Sequence, residues 1–230
     1  MFGGGPKIHS RFFDEATSKV QYPKVLLQCR TVVEKQEYVA TGLLTYAEGE
    51  IAEIELDEHG RFKLGEAVKI SIYSPVGIMV FHSTVIAKGI ESIMILNSRE
   101  ISNKFGETRQ FPRVKINASA TISGVLGGGS HSMQLNVTDP SCTVDNISMG
   151  GIGLLLPKNE ELKPSIKLQL CIKLQLEIPC TVEIVRVEDA DHLQYIGAKY
   201  VELPDNIVNS LRSFILKQQL DAYYQNKKRL

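Results

Sequence analysis

Short runs in which apolar and polar residues alternate with a period of two constrain this chain more than any other feature. Val68-Lys69-Ile70-Ser71-Ile72-Tyr73 is one. In a second, Val114, Ile116, Ala118, Ala120 and Ile122 alternate with Lys115, Asn117, Ser119 and Thr121. In a third, Ile166, Leu168, Leu170, Ile172 and Leu174 alternate with Lys167, Gln169, Cys171 and Lys173. Successive side chains of an extended strand point to opposite faces, so each run predicts a strand with one apolar and one wet face. The pattern predicts further strands over Lys24–Val33, Tyr38–Tyr46, Ile51–Leu56, Val76–Ile86 and Ile90–Leu96, then over Met133–Val144, Thr181–Val187 and Tyr195–Val201. Gly49, Gly60, Gly65, Pro75 and Gly89 punctuate the first set, and Gly127-Gly128-Gly129 marks a hairpin turn in the second. Many short strands separated by turn residues predict small barrels or sandwiches.

The chain divides at Ser98–Thr108, a polar stretch holding Gly106. The expected organisation is a leader over 1–23, a β-barrel over 24–97, a linker over 98–108 and a second barrel over 109–230. Near the end, Ile207, Val208, Leu211, Phe214, Ile215 and Gln218 fall on one helical face, with Asp205 as the expected N-cap. That face is expected to pack on its own barrel, and Lys227-Lys228-Arg229 to form a frayed, solvated tail. The fold class is therefore all-β with a C-terminal helix: two small β-barrels in tandem.

Several functions are disfavoured. The 230 residues carry 26 Lys+Arg against 26 Asp+Glu. Residues 1–105 hold 12 bases and 13 acids, and residues 106–230 hold 14 and 13. Neither half has the basic surplus expected of a nucleic-acid polymer binder, so an anion site must be made by a few placed residues. No apolar run approaches the roughly 18–20 residues that cross a bilayer. Met1–Pro6 has neither basic n-region nor apolar h-region, so a cytoplasmic location without a secretory signal is expected. Cys29, Cys142, Cys171 and Cys180 form no CxxC, which argues for free thiols rather than disulfides or zinc. GxxxxGK[ST], HExxH and GxSxG are absent and the five histidines are scattered, so the expectation is no enzyme, no metal and no cofactor.

Two segments carry chemistry. Arg109-Gln110-Phe111-Pro112-Arg113 puts two guanidiniums four residues apart at the mouth of a strand. Pro112 holds Phe111 in an extended approach. Arginine binds phosphate bidentately, pairs with guanine O6 and N7, and stacks on ring faces. Asn146-Ile147-Ser148-Met149-Gly150-Gly151 offers an amide, a hydroxyl, and glycines that permit positive φ or close backbone approach. Alone, the first is usually a solvated strand start and the second a turn. Together they suit a guanine nucleotide with accessible phosphates.

With these residues the sequence resembles the PilZ family of cyclic di-GMP receptors, whose signature is RxxxR followed by [DN]xSxxG on a small β-barrel. Arg109 and Arg113 match the first element; Asn146, Ser148 and Gly151 match the second, with Asn where Asp is more usual. Tyr195–Val201 followed by an amphipathic helix matches the family's usual close. The first barrel is similar in architecture to that of the two-domain flagellar-brake type. The resemblance implies that Arg109 and Arg113 hold ligand phosphate and guanine while Asn146, Ser148 and the Gly151 backbone hold the other side. It implies that cyclic di-GMP reorients the two barrels and that the new surface is read by a protein partner, a flagellar stator or rotor component, with recruitment to the basal body. Alternatives are a ligand-independent interaction module, or a regulator of exopolysaccharide or pilus production. A monomer or weak homodimer is expected.

Glu53, Glu55 and Asp57 alternate with Ile54 and Leu56, which puts three carboxylates on one strand face. A solvated face is the plain expectation, and a partner surface the other.

Overall fold

The structure, a computed structural model, describes residues 26–97, 111–126, 132–133, 141–175, 177–190 and 192–227. The leader over 1–23, the Ser98–Thr108 linker, Arg109 and the Gly127-Gly128-Gly129 turn lie outside the described residues.

The alternating runs form strands that close into two antiparallel barrels. In the first, β1 (Arg30–Lys35), β2 (Tyr38–Glu48), β3 (Ile51–Glu55), β4 (Ala67–Ser74), β5 (Gly77–Lys88) and β6 (Ser92–Leu96) follow the order β1-β2-β3-β6-β5-β4, and β4 returns to β1. The inward residues Val33, Leu44, Ile54, Ile70, Ile72, Val85, Ile93 and Ile95 form its core. Phe62, fully buried after the 3₁₀ turn Asp57–Arg61, joins them.

The second barrel is built from β7 (Val114–Leu126), β9 (Ser141–Ile147), β10 (Gly151–Pro157), β11 (Lys167–Lys173), β12 (Glu177–Ala190) and β13 (Leu193–Glu202). The order is β11-β12-β13-β10-β9-β7, and β11 pairs back with β7 to close it. The two-residue strand β8 (Ser132–Met133) adds to β7. Of the expected Met133–Val144 return, Met133 lies in β8 and Ser141–Val144 in β9, both paired with β7, and residues 134–140 lie outside the described residues. Along β7 and β11 the apolar residues turn inward as their alternation requires. Cys29, Cys142, Cys171 and Cys180 are not joined by disulfides among the described residues.

Helix α1 (Asp205–Lys227) bears on three expectations. Asp205 is inside the first turn, not before it; the Pro204 carbonyl accepts from the Ile207 and Val208 amides and so holds the cap position. The expected face packs on its own barrel, and a further face serves the first barrel as well. Leu211 and Ile215 are buried in the second core, with Ile207 and Phe214 beside them. A second stripe, Leu216, Leu220, Tyr223 and Tyr224, packs against Tyr46, Ile51, Ile86, Ala87 and Met94 of the first barrel. Its spacing, i, i+4, i+7, i+8, repeats that of Ile207, Leu211, Phe214 and Ile215 nine residues on, which places it about 180° round the helix, on the opposite face.

Third, the carboxylate face is not uniformly solvated, and Lys227 is no frayed tail; Lys228 and Arg229 lie outside the described residues. Glu55 and Asp57 are exposed, but Glu53 is only 3% exposed, beneath the end of α1. Its Oε1 accepts from Ser92 Oγ at 2.8 Å and Lys227 Nζ at 2.7 Å; its Oε2 accepts from Thr45 Oγ1 at 2.9 Å and from the Tyr223 hydroxyl. Burial alone would raise the Glu53 pKa. The donors from Lys227, Tyr223, Ser92 and Thr45 outweigh it and hold the group below the ordinary 4.5. Burial and the bond to Glu53 push the Tyr223 phenol up to about 12. Nearby, the Glu50 amide donates to Gln219 Oε1 at 3.0 Å. Gly49, at φ +61°, makes the turn beneath, where a Cβ would stand 3.0 Å from that same oxygen.

A pH dependence follows. A carboxylate whose folded pKa is lowered stabilises the fold above its unfolded pKa, and loses that contribution as pH falls through the folded value. The Glu53 contribution should therefore be complete above about pH 4.5 and decline below it. Melting temperatures taken from about pH 6 to about pH 3 should fall more steeply for the wild-type protein than for Glu53→Gln. Parallel curves would show that the buried carboxylate adds nothing to stability.

Candidate functional site

The Asn-x-Ser-x-x-Gly segment is the end of β9, a tight turn and the start of β10. Ile147 pairs with Ile152, leaving Ser148 to Gly151 as the turn. The Ser148 amide donates to the Gly151 carbonyl at 2.9 Å and its hydroxyl donates to the same oxygen at 3.1 Å. The Gly150 amide donates to Ser148 Oγ at 3.2 Å. Ser148 is buried, with its hydroxyl occupied both as donor and as acceptor. It shapes the turn rather than offering a free O–H to a ligand.

The glycines work by close approach. Neither Gly150 nor Gly151 has a positive φ. Gly151 pairs with Lys199 on β13, where a Cβ would sit 2.1 Å from the Ala198 carbonyl oxygen. At Gly150 a Cβ would meet the Phe111 ring at 2.6 Å. Phe111 therefore lies across the turn, and it brings the arginine motif to the second motif through a contact that sequence reasoning missed.

Around this junction is a cleft of about 390 Å³ lined by Phe111, Arg113, Ser148, Gly150 and Gly151, and across from them by Val185, Arg186, Gly197 and Lys199. Three of the five expected site residues, Arg113, Ser148 and Gly151, share it. Arg113 is exposed at the mouth of β7. Asn146 sits one strand position behind the turn, its Nδ2 donating to Tyr195 OH at 2.8 Å and to Asp145 Oδ2 at 3.0 Å. Arg109 lies outside the described residues.

Arg186 and Lys199 add positive charge that no motif announced. Arg186 pairs with Glu188 at 2.9 Å and lies over the Tyr195 ring, 5.3 Å from its centroid. Lys199 pairs with Glu183 at 3.0 Å. In sequence they read as outward residues of ordinary strands; only the β12–β13–β10 pairing carries them to the turn. The one available signal was Gly197, whose missing side chain lets the Arg186 stem lie flat: a Cβ there would be 2.8 Å from Arg186 Cγ. The combination of three cations, backbone amides and flat glycine surface suits an anionic ligand with planar groups.

A second cleft, about 680 Å³, lies between the barrels and α1. Tyr46, Glu48 and Gly49 of the first barrel, Arg113 just before β7, Lys115 within it, and Gln218, Gln219 and Tyr223 of α1 line it. Arg113 thus borders both clefts. Within the second barrel, burial pushes the Cys142 thiol to about 11 and the Cys180 thiol to about 12, so neither is a thiolate nucleophile at neutral pH.

No curated protein matches the sequence. Among solved structures, the chain is similar to the Bacillus subtilis inhibitor of motility MotI/DgrA, at 16% identity over 85% of this chain and 97% of that one, with a TM-score of 0.40. It is similar to Escherichia coli YcgR in complex with c-di-GMP, at 9% identity over 91% of each chain and TM-score 0.41. It is also similar to the K. pneumonia MrkH–c-di-GMP complex, at 12% identity over 86% and 90% and TM-score 0.41. At such identities and scores no role is carried across from them. Residues 107–217, which take in the arginine motif, the second barrel and the first half of α1, match the PilZ domain family. The second barrel is therefore a PilZ domain.

Proposed function

We propose that this protein is a cyclic di-GMP receptor, not an enzyme, that acts on a protein partner. The observation that carries the reading is the shared cleft: within a PilZ domain, Arg113 and the Ser148–Gly151 turn face Arg186 and Lys199. Arg113, with Arg109 from the same motif, holds phosphate and guanine. The turn supplies a flat backbone wall, and Asn146 an amide for the base edge. Arg113 also borders the cleft between the barrels, so a ligand that draws it in alters the seat of the first barrel. Because α1 is anchored in both barrels, reorientation requires α1 to shift on one of them. A ligand drives that shift only through its differential affinity for the two arrangements. The domain division proposed is 1–23, 24–97, 98–108 and 109–230, in the cytoplasm. The regulated system is flagellar motility, with a stator or rotor component as partner.

Arg113→Ala tests the reading. The residue is exposed at a strand mouth, so the fold should survive. Loss of one bidentate contact of about 1–3 kcal/mol should weaken cyclic di-GMP binding roughly 5- to 150-fold. Unchanged affinity in folded Arg113→Ala protein would remove the assignment.

A further inference from the structure

The side-chain amide of Asn146 is held in a single orientation, and we propose that Asp145 and Tyr195 hold it there to make the site selective for guanine. The inference rests on the cyclic di-GMP reading above.

Neighbouring residues of a regular strand point to opposite faces. Here the register between β9 and β10 shifts: Asn146 pairs with Gly153 but Val144 pairs with Leu154. Asp145 is the extra residue of this bulge, and its carboxylate reaches the same side as Asn146, 3.0 Å from Nδ2. An ionised carboxylate only accepts, so it fixes which end of the amide faces it. The Tyr195 hydroxyl, 2.8 Å from the same Nδ2, completes the clamp. Gly153 leaves the room: a Cβ there would lie 2.2 Å from the Tyr195 oxygen and 2.5 Å from Asn146 Nδ2. Arg186 covers the other part of the Tyr195 ring.

The clamp leaves Asn146 Oδ1 buried and without a partner among the described residues. An unpaired buried acceptor destabilises the empty site and is relieved when a donor arrives. Oδ1 is covered, so a ligand must displace what shields it. The Watson–Crick edge of guanine presents N–H donors at N1 and N2, whereas adenine presents an acceptor at N1. A fixed oxygen therefore favours guanine. An amide free to turn would serve adenine too, Nδ2 meeting N1 and Oδ1 meeting the 6-amino group. Aspartate at this position would need no clamp, since both its oxygens accept.

Affinities of the full chain for cyclic di-GMP and cyclic di-AMP, measured on wild type, Tyr195→Phe and Asp145→Ala, decide the matter. Wild type should prefer cyclic di-GMP. Each variant should lose about 3- to 10-fold in cyclic di-GMP affinity without matching loss for cyclic di-AMP, so the preference narrows. Tyr195→Phe keeps the ring under Arg186, and decides the matter alone if Asp145→Ala does not fold. In an Asn146→Asp background, Tyr195→Phe should leave the preference unchanged. Wild-type preference retained in folded Tyr195→Phe overturns the clamp while the receptor reading stands. Wild-type protein that binds neither nucleotide overturns both.

Discussion

Gly151→Val should dismantle the second barrel, not merely weaken a binding loop. The Cβ alone would stand 2.1 Å from the Ala198 carbonyl oxygen and 3.0 Å from Lys199 Cα. Both neighbours are backbone, so β10 and β13 would have to separate where Gly151 pairs with Lys199 and Ile152 with Ala198. Overpacking a tight site usually costs about 1–3 kcal/mol. Parting two central strands of a closed barrel adds to that, and a loss of about 4 kcal/mol or more is expected. Denaturant titration and circular dichroism measure it. A Gly151→Val protein of wild-type stability would show that β10 and β13 are not paired at this point. Gly150→Ala is the informative contrast, since there the three atoms nearest the added methyl all belong to the Phe111 ring, the first at 2.6 Å, and a side chain can yield.

Lys227→Ala should free the end of α1 from the first barrel. It leaves the Glu53 carboxylate, 3% exposed, without its only cation among the described residues. Removing one partner of a buried ion pair costs about 3–5 kcal/mol. The value here belongs near the lower end, because Lys227 is half exposed and three hydroxyl donors remain on Glu53. The strain falls on the contact between α1 and β3 rather than on either core. Spin labels on the two barrels should therefore report a broader interdomain distance distribution in Lys227→Ala, with both barrels still folded. In the wild-type protein, cyclic di-GMP should shift a narrower distribution. A Lys227→Ala distribution identical to wild type would mean that the buried pair does not set the resting arrangement.

How far the sequence could be read depends on where each residue's partners lie. Val114–Ile122 and Ile166–Leu174 were legible because one face of each strand is wet, which writes the alternation into the sequence. Strand β10 was not read as a strand. Ile152, Leu154 and Leu156 face the core, but Gly151 and Gly153 on the other side are also buried, so the run has no polar beat. The first stripe of α1 was legible, while Leu216, Leu220, Tyr223 and Tyr224 lie on the opposite face, which a helix packed on its own barrel alone would turn to solvent. Glu53 could not be placed from sequence, since its period-two company with Glu55 is the same whether or not a helix covers it. In the site, Arg113, Ser148 and Gly151 were identifiable from motif spacing. Phe111, Arg186, Lys199 and the Tyr195–Asn146 bond depend on which strands pair, and period alone does not encode that.

Titration calorimetry of the full chain with cyclic di-GMP tests the central claim most directly. Saturable binding is expected, with the nucleotide recovered unchanged and the heat sharply reduced for Arg113→Ala at the same concentrations. A flat titration of folded wild-type protein, or equal binding by Arg113→Ala, would contradict the assignment of the cleft between Arg113 and the Ser148–Gly151 turn as the ligand site.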